Sequence, residues 1–414
     1  MSDTTPTSSV LPFFLSSFVW NFALGMTYPL VPLYAREMGM SGVGIGTLVA
    51  LPVLVQIAFN LIGGAYTDQV GGRSLMLASF VLTAGAGSAF FFAGGFWLLL
   101  LAQLLMVMSR AMYWPASWTL GSQLPGSRSL QMGRLNAVTN VGQIAGMAGA
   151  GMLLLWFGFG PSFLVLAAMG ALAFALGYRV PGRRQHPGRK PRSLFSNYAR
   201  LIRLRVFPFA IMCAYISALP FSLGFSFYPI LFVEHGYASD AVGSMLALRG
   251  IGSALAGLVI ARYLDYSAKL RVPLVCAIAT ALSVGLIAGA RETWMIASLM
   301  VAVGLASGIM TLFFQMLISE ISSIENRGSA LALGGLGWGL SHFSTPLAMG
   351  YLRDHLGILP AFYTLGGFAF VWALALIPMH RWAFAQLDEP ESDSASPAKR
   401  KPSFHEQGGV HPPL

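Results

Sequence analysis

Charge is what this sequence lacks. Of its 414 residues only 10% are charged, 15 of them acids, while 56% are hydrophobic. Soluble domains carry about 25% charge, and a chain this apolar cannot clothe a water-facing surface. A soluble enzyme is therefore excluded. Cysteine is equally scarce. Cys213 and Cys276 are the only two, which excludes a disulfide scaffold and leaves both as small apolar packing residues. Gly-x-Ser-x-Gly elements, zinc-type spacings and His/Asp groups within an apolar run are also missing. A membrane enzyme or scaffold would thus lack a chemical site, and no metal or cofactor is expected.

What the sequence has is long apolar runs. Twelve are long enough to cross a bilayer as helices, each needing about 20 residues. They fall near 11–34, 43–65, 75–95, 97–120, 134–157, 161–179, 206–233, 240–262, 272–290, 293–319, 329–352 and 359–380. No Lys or Arg precedes the first run and no small-residue cleavage site ends it. It is expected to be a retained span, not a leader peptide.

The few charges are sharply placed. The formal net charge is +10. Arg179 to Arg205 holds nine basic residues and no acid, leaving 16 basic against 15 acidic elsewhere. A nucleic-acid reading of the positive balance therefore fails. With the N-terminus inside, inner segments carry twenty Lys and Arg and outer segments three. This asymmetry places both termini in the cytoplasm. The expected surroundings are membrane lipids, and the expected state is a monomer.

The chain also repeats itself at a spacing near 200. Leu24-Gly25-Met26-Thr27-Tyr28-Pro29 is echoed by Leu223-Gly224-Phe225-Ser226-Phe227-Tyr228-Pro229. Gly46-Thr47-Leu48 is echoed by Gly243-Ser244-Met245, and Gly158-Phe159-Gly160-Pro161 by Gly357-Ile358-Leu359-Pro360. The expected architecture is an all-α membrane protein of twelve helices in two pseudo-symmetric six-helix bundles. The bundles are placed at 1–180 and 206–382, with a basic cytoplasmic linker at 181–205 and a disordered tail at 383–414. Within the linker, Ser193–Arg205 reads equally as an amphipathic helix or as plain basic chain. Parallel six-helix halves are one known plan for secondary transporters.

Between spans 2 and 3 the sequence reads Gly64-Ala65-Tyr66-Thr67-Asp68-Gln69-Val70-Gly71-Gly72-Arg73. This resembles the signature loop of the major facilitator superfamily, with Gly64, Asp68, Gly71 and Arg73 matching. Gln69 and Gly72 stand where the family usually has basic residues. Arg110 followed by Pro115-Ala116 resembles the family's fourth-helix pattern. Gly142 to Gly151 resembles its glycine-rich antiporter signature, with Met147 in place of the usual proline. The resemblance is most like the drug/proton antiporter branch. It implies alternating access, proton-coupled efflux of amphipathic or drug-like small molecules, and a bacterial inner-membrane location. It also implies that Asp68 latches onto the helix start near Arg327–Ala330. Spans 2, 5, 8 and 11 should form the interface between halves, and spans 1, 4, 7 and 10 the central cavity.

Buried charge is functional by default in lipid. Only Arg110 and Arg249 fall well inside spans, and no Asp or Glu lies at their depth. Each arginine could meet an anionic substrate, backbone and water, or a helix-end carboxylate such as Asp68, Glu320 or Glu37. An organic-anion carrier with Arg249 binding substrate is thus the alternative to drug efflux. His342 is the mid-span histidine, readable either as a carrier of the coupling proton or as a histidine hydrogen-bonded to a neighbouring helix. On the spans that the resemblance assigns to the cavity, the lining residues are Trp20, Asn21, Tyr28, Tyr113, Trp114, Trp118, Phe221, Phe225, Tyr228, Phe313 and Gln315.

Overall fold

The computed structural model describes residues 10–180, 201–257, 270–322 and 327–385, side chains at 60–70, 129 and 327–329 excepted. The 181–200 part of the linker and the tail from 386 lie outside the described residues, as does most of the expected amphipathic helix. The first half contains α1 Val10–Glu37, α2 Gly42–Val70, α3 Gly72–Phe91, α4 Phe96–Gly121, α5 Arg128–Phe157 and α6 Phe159–Gly177. The second contains α7 Val206–Gly224, α8 Tyr228–Glu234, α9 Ser239–Leu255 and α10 Arg271–Gly289. It continues with α11 Thr293–Ile321, α12 Arg327–Gly334, α13 Leu336–Leu356 and α14 Ile358–Phe384. Among the described residues no strand occurs.

Ten of these helices are long and apolar enough to span a membrane. The two other expected spans are α9, described as α-helix to Leu255, and the α12–α13 pair. Helix is the natural answer in lipid because each backbone group finds its partner within the segment. Loop contacts define two faces. Tyr34 Oη donates to Ala93 O at 2.7 Å, and Arg353 Nη2 to Glu234 Oε1 at 2.9 Å. These mark the distal face. Arg73 Nη2 donates to Tyr178 O at 2.7 Å on the proximal face, the side of both described chain ends.

The halves repeat in packing as well as in sequence. In the first, α1 packs on α5 and α6, α3 on α4 and α6, and α2 on α4. In the second, α7 packs on α13 and α14, α10 on α11 and α14, and α9 on α11. The halves meet where α5 packs on α9 and α2 on α13. The repeated turns also share one backbone device. Gly158 (φ 75°) opens α6 and Gly357 (φ 89°) opens α14. A side chain is strained in that left-handed region, which explains why glycine recurs there.

Two expected spans are interrupted. The seventh breaks between Gly224 and Tyr228, giving α7 and α8. Pro229 cannot donate a backbone hydrogen bond to the Phe225 carbonyl, and its ring favours a helix start. The same proline lies inside a continuous α1 as Pro29. The eleventh breaks between Gly334 and Leu336.

Small residues let the halves touch backbone to backbone, as lipid-embedded helices require in the absence of a hydrophobic drive. A Cβ on Gly151 would strike Ser239 O, and one on Gly46 would strike Pro346 O. Gly350 lies against Gly42 O, and Gly243 against Met147 O. All these approaches lie toward the distal face. The end of α2 there is also tied down. Asp354 on α13 accepts Gly42 N–H at 2.6 Å and Val43 N–H at 2.8 Å. Ser41 Oγ accepts Gly44 N–H at 3.0 Å, so three otherwise orphaned amides are satisfied.

Candidate functional site

At mid-depth the two halves bring a pair of arginines to one aromatic cluster. Arg249 enters from α9 and is 1% exposed. Its guanidinium lies over the Phe221 ring at 4.1 Å and over Tyr28 at 5.8 Å. Arg110 enters from α4 and lies over Phe225 at 5.7 Å. Tyr28 and Phe225 meet edge to face at 5.7 Å. These two residues, one from each half and both within the repeated segment, thus bridge the cations. The break after Gly224 places Phe225 at this junction.

The polar accounting is incomplete at both cations. Arg110 Nη2 donates to Gln56 Oε1 at 2.5 Å, but its Nε has no partner. Arg249 Nε and Nη1 are both buried without partners. Among the described residues no carboxylate pairs with either arginine; the ion pair found there is Arg353–Glu234 on the distal face. Buried charges are normally paired or hydrogen-bonded, so both arginines stand out as incompletely partnered among the described residues. Also among the described residues, no three His, Cys, Asp or Glu side chains group as a metal would require.

His342 of α13 flanks the cluster. Its Nδ1 shares a hydrogen bond with Ser222 Oγ at 3.2 Å. Its ring lies 4.9 Å from Phe225 and stacks on Trp338 at 5.3 Å. Trp338 in turn donates Nε1–H to Ser217 Oγ at 3.0 Å. A cleft borders the cluster on the Arg110 side. Its walls are mostly apolar residues of α1, α2 and α4, including Leu24, Val49 and Met106, with the polar Thr27 and Gln103 among them, and it is closed by Tyr28, Arg110 and Phe225.

The sequence pattern of the Major Facilitator Superfamily matches residues 13–238 and again 210–408. The chain belongs to the Major Facilitator Superfamily. A quinolone resistance protein NorA from Staphylococcus aureus is 26% identical over 39% of the chain and 42% of its own length. A multi-drug resistance efflux pump PmrA homolog from Lactococcus lactis is 33% identical over 40% of each. The chain thus matches less than half the length of these curated relatives. Two solved structures share the superfamily fold over nearly the whole chain. The nucleoside transporter NupG has a TM-score of 0.77 at 14% identity, covering 91% of this chain and all of its own. A bacterial homolog of the human lysosomal transporter Spinster, inward-facing and occupied, has a TM-score of 0.69 at 15% identity, covering 96% and 100%.

Within the superfamily's signature loop, Gly71 adopts φ 88° and begins the turn into α3. Arg73 donates to Tyr178 O and lies 5.2 Å from the Tyr178 ring. It thereby joins α3 to the end of α6 within one half. Gly64 and Asp68 belong to the last turns of α2, where side chains lie outside the description. The expected contact of Asp68 with Arg327–Ala330 lies outside it too.

The superfamily's cavity assignment needs one correction. Trp20, Asn21 and Tyr113 pack inside the first half and not at its junction with the second. Trp20 stacks on Tyr113 at 3.6 Å and donates to Thr83 Oγ1 at 2.9 Å and Ser109 Oγ at 3.0 Å. Asn21 Nδ2 donates to Tyr113 Oη at 3.1 Å, and Asn21 Oδ1 accepts from Gln143 at 3.0 Å. Every polar atom that made these residues look available is used in tying α1 to α3, α4 and α5. Trp114 stands edge-on to Trp20 at 6.2 Å, and Trp118 is half exposed beyond it. Tyr228 is buried against Phe232 and Phe362, with its hydroxyl unpartnered. On α11, Phe313 is buried and Gln315 is exposed. The residues that do converge are Tyr28, Arg110, Phe221, Phe225, Arg249 and His342. Gln56, Ser222 and Trp338 join them without a distinguishing sequence signal. A polar residue in an apolar run is the one clue Gln56 offered.

Proposed function

We propose that this chain is a secondary transporter that exports amphipathic, drug-like small molecules by alternating access. It works as a monomer in a bacterial inner membrane, with both termini in the cytoplasm and no cofactor. Proton entry drives the exchange. The observation that carries this reading is a cleft closed by Arg110, Tyr28 and Phe225, beside an aromatic cluster that also takes the buried Arg249 from the other half. A mid-membrane site at the junction of repeated halves can be reached from either side by rocking one half against the other. The distal approaches of α2 to α13 and α5 to α9 fit a state closed on the outer side. The NorA and PmrA relatives support export of drug-like compounds, and the apolar cleft suits such a substrate. His342 is the proton carrier in this reading, since it is a buried titratable group that packs on Phe225 at the edge of the arginine cluster.

The test is uptake of a fluorescent quinolone into everted membrane vesicles. Imposing an acidic lumen should drive accumulation, and an uncoupler should abolish it. His342→Gln should retain quinolone binding but lose the response to the gradient. Accumulation that ignores the uncoupler would remove the proton from the mechanism.

A further inference from the structure

We propose that the central site takes an amphipathic aromatic carboxylate, its anionic end held by Arg249 and Arg110 and its ring among Tyr28, Phe221 and Phe225. The proposal rests on the transport reading and names the substrate class of that same site.

Three observations converge on it. First, Arg249 is 1% exposed, and two of its nitrogens have no acceptor. The Phe221 ring at 4.1 Å offers its π-face to the cation but cannot accept all of its N–H groups. Second, Arg110 adds another guanidinium with an unpartnered Nε over Phe225, a ring of the same aromatic pair. Among the described residues no carboxylate supplies the counter-charge. Third, the cleft adjoining Arg110 is lined mostly by apolar residues, Leu24, Val49 and Met106 among them, along with the aromatic pair and the polar Thr27 and Gln103.

These features discriminate between ligand classes. A cationic drug would meet two like charges in a medium of low polarity. A neutral one can accept the guanidinium N–H groups but leaves their buried charge uncompensated. A carboxylate satisfies them, because its planar pair of oxygens matches the planar fork of arginine. The apolar cleft then needs an apolar body on the same molecule, which free inorganic anions lack. An aryl ring fits both requirements and can stack on the wall residues.

The test compares naphthoate with its uncharged isostere naphthamide. Binding is measured by calorimetry on the purified full-length chain in lipid nanodiscs, with no ion gradient. Naphthoate should bind about tenfold or more tightly, the range of a charge-assisted hydrogen bond. Arg249→Gln should erase that preference, and Arg249→Lys should restore part of it. Equal affinity of the two probes for the unmodified chain overturns the proposal. So does a preference that survives both Arg249→Gln and Arg110→Gln. If Arg249→Gln fails to give folded protein, the unmodified chain and Arg110→Gln decide. Loss of proton-driven quinolone flux with intact naphthoate preference would sink the transport reading alone. Normal flux with no preference would sink the carboxylate assignment alone.

Discussion

The Asp354 carboxylate caps α2 by accepting the Gly42 N–H at 2.6 Å. Cap and capped helix come from opposite halves of the chain, so under the proposed alternating access this contact would break when the distal face opens. The negative charge also sits at the positive end of the α2 dipole. Asp354→Ala should weaken distal closure by about 1 kcal/mol, the usual scale for a helix cap. Hydrogen exchange read by mass spectrometry should show faster exchange at Gly42 and Val43, and unchanged exchange at α3. Unaltered protection at Gly42 would mean the cap is incidental.

Gly151 tests closure from the other interface. Its missing side chain lets α5 reach Ser239 O and Gly243 on α9. Gly151→Val should hold α5 and α9 apart, because backbone rather than a pliable side chain faces the new methyls. Transport should fall to background, while exchange at the distal ends of α5 and α9 rises. Full transport activity in the Gly151→Val variant would refute the close-packing account.

Trp20 should matter for stability and not for binding. Trp20→Phe keeps the ring stacked on Tyr113 but removes the indole N–H. Thr83 and Ser109 still hydrogen-bond one another at 2.8 Å, and Ser109 still donates to Ser79 O at 2.7 Å. The expected loss is about 1 kcal/mol, visible as a lower thermal midpoint in detergent. Naphthoate affinity should stay constant. A substantial fall in affinity would return Trp20 to the substrate site.

His235, just past α8 on the distal face, carries a pH dependence. Partial burial lowers its pKa, with Arg291 adding to the shift, while an Ala288 backbone hydrogen bond and Glu234 oppose it. The unfolded chain therefore takes up the proton first, so stability falls as pH drops through about 6.5 and below. His235→Gln should flatten the thermal midpoint against pH over that window. A steeper decline in the variant would reverse the sign.

Much of this was legible in the amino-acid sequence, for reasons that differ by residue. The spans were readable because lipid forces every backbone bond inside the segment. Arg110 and Arg249 were readable because charge in such segments is costly. The repeat exposed the Gly158 and Gly357 turns, which share one left-handed conformation. Pro29 and Pro229 show where local reading stops. Their surroundings match in sequence, yet α1 continues and the second helix breaks, so packing decides. The aromatic residues of α1 and α4 show the same limit. Sequence places Trp20 and Tyr28 on one helix, but helix rotation sends the first into its own half and the second to the junction. Asp354 offered no signal in the sequence because its partner, the Gly42 amide, lies 312 positions earlier.

Cys213 and Cys276 are both free and buried. Thiols shielded from water react slowly with aqueous alkylating reagents. The natural chain is therefore already a quiet background for site-directed labelling. A single cysteine placed at Ser41 or Ser239 would report on the distal face without the compensating replacements that usually precede such work.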